Sequence, residues 1–228
     1  MRPANATTNR NRRDYSGQKM LLKDRAYVQL KDMIQSGMFA PNVFLSERQL
    51  VDRLGMSKTP IRSALEHLEI QGLVAVSPQQ GIVVRELSAH EVTDLFDMRA
   101  AIEPFVVSRL AGRNLAPNQV AIVKANLRDQ QAAASAGDAI EATRLDIAFH
   151  ILLAELLDNQ EMLTWLSRCF DKLHRSILRI NRLASGRLLK SHEDHAGIVD
   201  AVLASKDAEA GACMTEHLRY GRQFLLGA

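Results

Sequence analysis

Three residues, Gly55-Met56-Ser57, separate two short amphipathic segments and leave the chain little freedom between them. Before them, Ser46-Glu47-Arg48-Gln49 reads as a capping box, in which a Ser hydroxyl and a Gln three residues on satisfy orphan N–H groups at a helix start. The helix it opens carries Leu50, Val51 and Leu54 and stops at Gly55. After the turn, Ser57 is placed to cap a second helix. Pro60 falls in that helix's first turn, where its missing N–H is tolerated. Ile61, Ala64, Leu65 and Leu68 give the second helix a buried stripe, and Gly72 ends it. Two helices joined by so short a turn predict a helix-turn-helix.

The flanks extend this unit. Leu22, Ala26, Leu30, Met33 and Ile34 mark one face of a helix over 21–36, ended by Gly37 and followed by a Pro41-Asn42 turn. Leu73-Val74-Ala75-Val76 and Ile82-Val83-Val84 surround a Pro-Gln-Gln-Gly turn and predict a hairpin. Residues 21–85 are thus expected to form three helices and a hairpin. Residues 1–20 are polar, with Pro3, Gly17 and scattered Arg, and read as a flexible arm.

Beyond a linker near 85–89 every segment has helical spacing. Ser88 with Glu91 opens a helix to about 112, Pro117 opens one to about 135, and Asp138 one to about 157. Three more are expected over 160–183, 187–204 and 207–226. Residues 90–226 therefore predict an antiparallel all-helical bundle of about six helices. The fold class is mainly α: an N-terminal winged helix-turn-helix and a C-terminal bundle.

Composition removes several function classes. The two cysteines, Cys169 and Cys213, form no CxxC pair, so a thiolate zinc site is not indicated. No apolar run reaches transmembrane length and no apolar signal core opens the chain, so no membrane partner and a cytoplasmic location are expected. The formal charge is +3, and the excess lies early. Arg2, Arg10, Arg12, Arg13, Lys19, Lys23 and Arg25 face only Asp14 and Asp24, a weak pointer to a polyanion.

A recognition helix offers its N-terminal residues to DNA, and its positive dipole end favours phosphate. The exposed donors expected there are Ser57, Lys58, Thr59 and Arg62, with Arg48 on the preceding helix. The tip Gln79-Gln80-Gly81 is placed to approach DNA as a wing. Periodicity alone leaves open a small helical domain with an ordinary solvated face. Residues 23–84, however, resemble the winged helix-turn-helix of the GntR family. The elements Leu-Ser-Glu-Arg, Leu-Gly-x-Ser-x-Thr-Pro-x-Arg and Leu-x-x-Gly-Leu-Val stand in order. The resemblance implies double-stranded operator DNA as partner, contacted through Arg48, Ser57, Lys58, Thr59, Arg62 and the wing glycine Gly81. Two positions depart from the family pattern: Lys58 replaces the usual Arg, and Asn42 the usual Gly.

Six of the seven histidines lie beyond residue 89. Asp146 and His150 share a helix face at i and i+4. His195 falls with Leu188, His192, Val199 and Val202, and His217 with Ala210, Met214 and Gly221. Three helices are thus phased to point a carboxylate and two or three imidazoles into a bundle interior. Phasing alone leaves open ordinary hydrogen-bonded histidines. Residues 90–226 resemble the FCD ligand-binding domain of FadR-type regulators, through Met98-Arg99-x-x-x-Glu103, Asp146-x-x-x-Phe149-His150, Asp194-His195-x-x-Ile198-Val199-x-Ala201-Val202 and Ala210-x-x-x-Met214-x-x-His217-Leu218. The resemblance implies metal ligands at Asp146, His150, His195 and His217, with His192 as the alternative to His195. Asp194 stands where the motif usually has Glu. The donor set suits Zn, Ni or Mn without choosing among them.

The resemblance further implies a homodimer on an inverted repeat, acting as a repressor, with a small organic acid as effector at the metal. Arg99 is the candidate second charge partner for that acid; the plainer alternative is a salt bridge to Glu103 at i+4. His90 and His174 have no motif support, and Trp165, Cys169 and Phe170 read as core or interface. Two rival readings remain at this point: a metal-dependent enzyme acting on a small carboxylate, and a metal-free interaction module.

Overall fold

A computed structural model describes residues 20–77, 81–184 and 186–227. The arm 1–20 (Met20 apart) and the wing-tip residues Gln79 and Gln80 lie outside the described residues. The head is built from α1 (Leu22–Gln35), β1 (Phe44–Leu45), α2 (Glu47–Leu54), α3 (Lys58–Ile70), β2 (Val74–Ser77) and β3 (Gly81–Val84). Its core gathers Ala26, Leu30 and Ile34 of α1, Leu50 of α2, Ile61, Ala64, Leu65 and Leu68 of α3, and Val74, Ile82 and Val84 of the strands. Leu22, expected on the inner face, is exposed at the start of α1.

The punctuation acts largely as the sequence predicts. The Ser46 hydroxyl accepts from the Gln49 N–H while the Gln49 side chain accepts from the Ser46 N–H. Gly55 takes a left-handed conformation (φ 62°) that closes α2. Asn42 does the same in its turn (φ 60°), so the Gly-to-Asn departure is tolerated. Two expectations need correction. Ser57 occupies the N-cap of α3 but its side chain makes no capping bond. The hairpin is in fact two strands of a three-stranded antiparallel sheet ordered β1-β3-β2. A two-residue strand carries no alternation to read, so β1 left no sequence signal.

The bundle comprises α4 (Ala89–Ala111), α5 (Pro117–Ala136), α6 (Ala139–Leu157), α7 (Gln160–Leu183), α8 (Gly186–Leu203) and α9 (Asp207–Gly227). Helix α4 packs chiefly on α9, α6 on α7, and α8 on α9. One core joins Val106, Leu110, Phe149, Ile198 and Met214, and a second joins Phe96, Leu166, Phe170, Leu173 and Ile177. No described helix is long and apolar enough to cross a membrane.

Helix α7 joins the two units. On its head side, Lys31 of α1 pairs with Asp171 at 2.6 Å, Arg175 donates to the Arg85 carbonyl at 3.4 Å, and Arg179 reaches Glu86 at 3.5 Å. A cavity of about 380 Å³ lies between α7 and the head, bordered by Gly37, Gly72, Arg85 and Arg182 among others.

Candidate DNA-reading face and candidate metal centre

The head places Ser57, Lys58 and Thr59 exposed at the first turn of α3, with Arg62 one turn further along. That turn has no acidic residue and no side-chain cap. Its N–H groups and the positive end of its dipole are therefore left for an anion. Arg48 projects from α2 with its side chain 89% exposed, near Asp52 at 4.0 Å. Arg62 is held by Glu47 through two bonds of 2.8 and 3.0 Å, which orients the guanidinium before any DNA is present. Arg48 and Gly81 border one shallow depression with Leu45, Gln49 and Asp52. Gly81 also has a structural duty that the sequence did not reveal. Its φ is 97°, and a Cβ there would lie 2.7 Å from the Leu45 carbonyl oxygen.

In the bundle, one potential ligand atom from each of Asp146, His150, His195 and His217 falls within 4.8 Å of the others. Asp146 and His150 come from α6, His195 from α8 and His217 from α9. The three imidazoles are buried, and the Asp146 side chain is 13% exposed. His192 is not part of this cluster. His90 is an exposed partner of Asp94 on α4, and His174 sits on α7 near the end of α1.

The surrounding contacts fix which nitrogen faces inward. Gln130 of α5 donates its amide to Asn126 and presents its oxygen to His195 Nδ1 at 2.8 Å. That oxygen requires an N–H on Nδ1 and leaves Nε2 with a lone pair. His217 Nδ1 faces the Asp194 carboxylate at 3.5 Å, an arrangement that favours the same tautomer. The two Nε2 atoms then meet at 3.2 Å. Two lone pairs at that distance repel unless an electrophile lies between them. Two nitrogens bound to one ion at ~2.1 Å each are themselves roughly 3 Å apart. Asp146 is positioned by the Ser191 hydroxyl at 2.8 Å and lies 3.7 Å from His195 Nε2. The donor set and its outer contacts fit a divalent transition metal.

His150 has different neighbours. Its Nδ1 contacts Glu103 Oε2, and Arg99 reaches its Nε2 at 3.3 Å. Arg99 also donates to Glu103 Oε1 at 2.5 Å and lies between the rings of Phe96 and Phe170, at 4.9 and 4.5 Å. The salt bridge weighed as the plainer alternative is therefore present, and it holds Arg99 against the cluster. Phe170, read as core, stacks on His150 at 5.2 Å as well as packing in the core.

Electrostatics follow from burial. Desolvation alone would raise the Glu103 pKa, but the Arg99 charge and the hydrogen bonds from Arg99 and His150 outweigh it and hold the carboxyl near 2. Desolvation, with repulsion from the other imidazoles and Arg99, pushes His195 well below the usual histidine range. Burial also lowers His217, against the pull of Asp194. Neutral imidazoles with inward lone pairs need release no proton to take a cation. Burial pushes the neighbouring Cys169 thiol up to about 12, which leaves it unreactive. Gln130 and Ser191 were missed from sequence. Each is a polar residue of ordinary type on a helix, and only tertiary packing gives it a partner.

Two family models match the chain. The model for bacterial regulatory proteins of the gntR family covers residues 22–84, and the FCD domain model covers residues 94–220. The Nta operon transcriptional regulator of Aminobacter aminovorans is 32% identical over 189 residues, spanning 79% of this chain and 83% of that protein. The HTH-type transcriptional repressor GlaR of Escherichia coli (strain K12) is 30% identical over 203 residues, spanning 84% and 90%. Among solved structures, E. coli McbR/YncC superimposes with a TM-score of 0.81 at 21% identity, over 91% of this chain and 98% of that one. A putative GntR regulator from Rhodococcus sp. RHA1 gives 0.76 at 25%, over 90% and 98%. The chain belongs to the GntR family and is a DNA-binding transcription regulator with a C-terminal FCD domain, not an enzyme.

Proposed function

We propose that this regulator is a homodimeric repressor whose affinity for an inverted-repeat operator is set by a small organic acid bound at a divalent metal in the bundle. The observation that carries this reading is the 3.2 Å approach of His195 Nε2 and His217 Nε2, each with its Nδ1 already engaged. Asp146, His150, His195 and His217 would hold the ion. When bound, it supplies a Lewis-acidic centre for a carboxylate. Arg99, neutralised by Glu103, stands beside His150 to steady the same carboxylate.

On the DNA side, Ser57, Lys58 and Thr59 meet the operator at the uncapped end of α3, flanked by Arg48, Arg62 and the wing at Gly81. One such helix reads few base pairs, so a two-fold dimer supplies specificity. An exposed apolar stripe on α4, formed by Met98, Ala101 and Phe105, is available for pairing two chains. Helix α7 offers a route between the sites. Its Phe170 lies under His150, while the adjacent Asp171 binds Lys31 of the head. An acid that prefers a shifted α7 would change the spacing of the two heads and weaken operator binding. Operator affinity measured by fluorescence anisotropy, with metal-loaded protein and a panel of small acids, tests this. A bound acid that weakens the operator complex supports the reading, and unchanged affinity with the acid bound overturns it.

A further inference from the structure

The helices that carry the metal-ligand candidates also carry a second polar layer. Arg187 lies two turns before His195 on α8, Thr143 one turn before Asp146 on α6, and Gly221 one turn after His217 on α9. Ser191, midway between Arg187 and His195, is the residue that bonds Asp146. The second layer is thus displaced from the first toward the start of α6 and α8 and the end of α9. The four residues from His217 to Gly221 rise ~6 Å along α9.

Arg187 is the unusual member. It is 8% exposed, and its Nη1 is buried without a hydrogen-bond partner. Nε donates to Asn181 Oδ1 at 3.2 Å, and Asn181 in turn donates to the Thr143 hydroxyl at 2.8 Å. The guanidinium lies over the Phe224 ring at 5.6 Å. Among the described residues no carboxylate lies within ion-pair distance of it. The other buried guanidinium of the bundle, Arg99, is closely paired with Glu103. Asp146 and Asp194 act on the Arg187 charge only from a distance, and a buried cation without a counter-charge in contact is costly. The α9 flank of the Arg187 guanidinium is a glycine: a Cβ added to Gly221 would stand in van der Waals contact with Arg187 Nη2 at 3.7 Å and Phe96 Cε1 at 3.5 Å, and Phe96 is the ring that also faces Arg99.

We infer that Arg187 is a second anion-binding residue of the sensor, and that the effector is a short dicarboxylate with one carboxylate at the metal and the other on Arg187 Nη1. Asn181 and Thr143 hold the guanidinium in place, and Gly221 keeps a side chain off its α9 flank. This assignment rests on the metal-bound acid of the proposed function and names its chemical class.

Calorimetric titration of the metal-loaded full chain with acids paired by length tests it: butyrate against succinate, pentanoate against glutarate, hexanoate against adipate. At least one diacid is expected to bind about 10- to 100-fold more tightly than its partner, the worth of a charge-assisted hydrogen bond. In Arg187→Gln that ratio is expected to fall to about one, and Arg187→Lys to retain part of it. The Lys variant keeps the test open should the Gln variant fold poorly, because full retention of the ratio there and in Asn181→Ala also contradicts the assignment. Acids that bind only with metal present but show no diacid preference, or a preference that survives Arg187→Gln, overturn this inference alone. No binding by any acid, or equal binding without metal, overturns the metal-bound acid as well.

Discussion

The head and the bundle treat their functional polar groups in opposite ways. The head keeps Arg48, Ser57, Lys58, Thr59 and Arg62 outside, on a small apolar core that serves to aim them. The bundle takes Arg99, Glu103, Gln130, His150, Arg187, His195 and His217 inside, where each needs a partner. The contrast follows from what each surface meets. A polyanion is a rigid, charged partner that brings its own counter-charges, so donors can wait in water. A small ligand must be desolvated, and only buried, oriented groups repay that cost. In the head, polar substitutions should therefore alter binding and spare the fold. In the bundle they should alter both.

The largest effect expected from this contrast is Glu103→Ala. It leaves the Arg99 charge buried and removes the partner of His150, and a broken buried pair costs about 3–5 kcal/mol. Urea denaturation should show that loss; a variant as stable as the parent would place Glu103 outside the supporting network. Arg62→Ala tests the opposite half. Operator affinity should fall roughly 10- to 100-fold with the unfolding midpoint nearly unchanged. A fall in stability without a fall in affinity would make the Glu47–Arg62 pair structural.

A third test uses pH on metal-stripped protein. His195 and His217 have folded pKa values below their unfolded ones. The unfolded chain then takes up protons that the folded chain refuses, so stability is complete above the unfolded histidine value near 6.5 and falls as pH drops below it. Stability should therefore fall measurably between pH 7 and 5.5. A flat profile over that window would mean that the imidazoles are already charged in the fold. The smallest effect is Gly81→Ala, about 1–2 kcal/mol from strain at φ 97° and the approach to Leu45. It should weaken the wing's attachment to β1 and leave metal and acid binding untouched.

The same contrast governs what could be read beforehand. The head's elements are local: a capping box, a left-handed Gly55 and a stripe at Ile61, Leu65 and Leu68 announce themselves within a few residues. Even there, β1 was too short to show, and Gly81 disclosed its tight fit against Leu45 only in three dimensions. In the bundle, helix phasing brought Asp146, His150, His195 and His217 toward one interior, and the resemblance selected His195 over His192. The outer contacts stayed hidden. Gln130, Ser191 and Arg187 lie on helices whose relative rotation is set by packing among many side chains, and no spacing rule links residue 130 to residue 195. Arg99 was read as either an ion-pair partner or a ligand for the acid, and the fold places it so that one role does not exclude the other.

The central claim is that two inward lone pairs at 3.2 Å mark a metal centre. Metal content of the full chain, purified without chelator and measured by mass spectrometry, tests it most directly. About one zinc, nickel or manganese per chain is expected, falling to near zero in the double variant His195→Ala, His217→Ala with its helicity retained. A chain that remains metal-free when supplied with all three ions, or a double variant that keeps its full complement, would contradict the account.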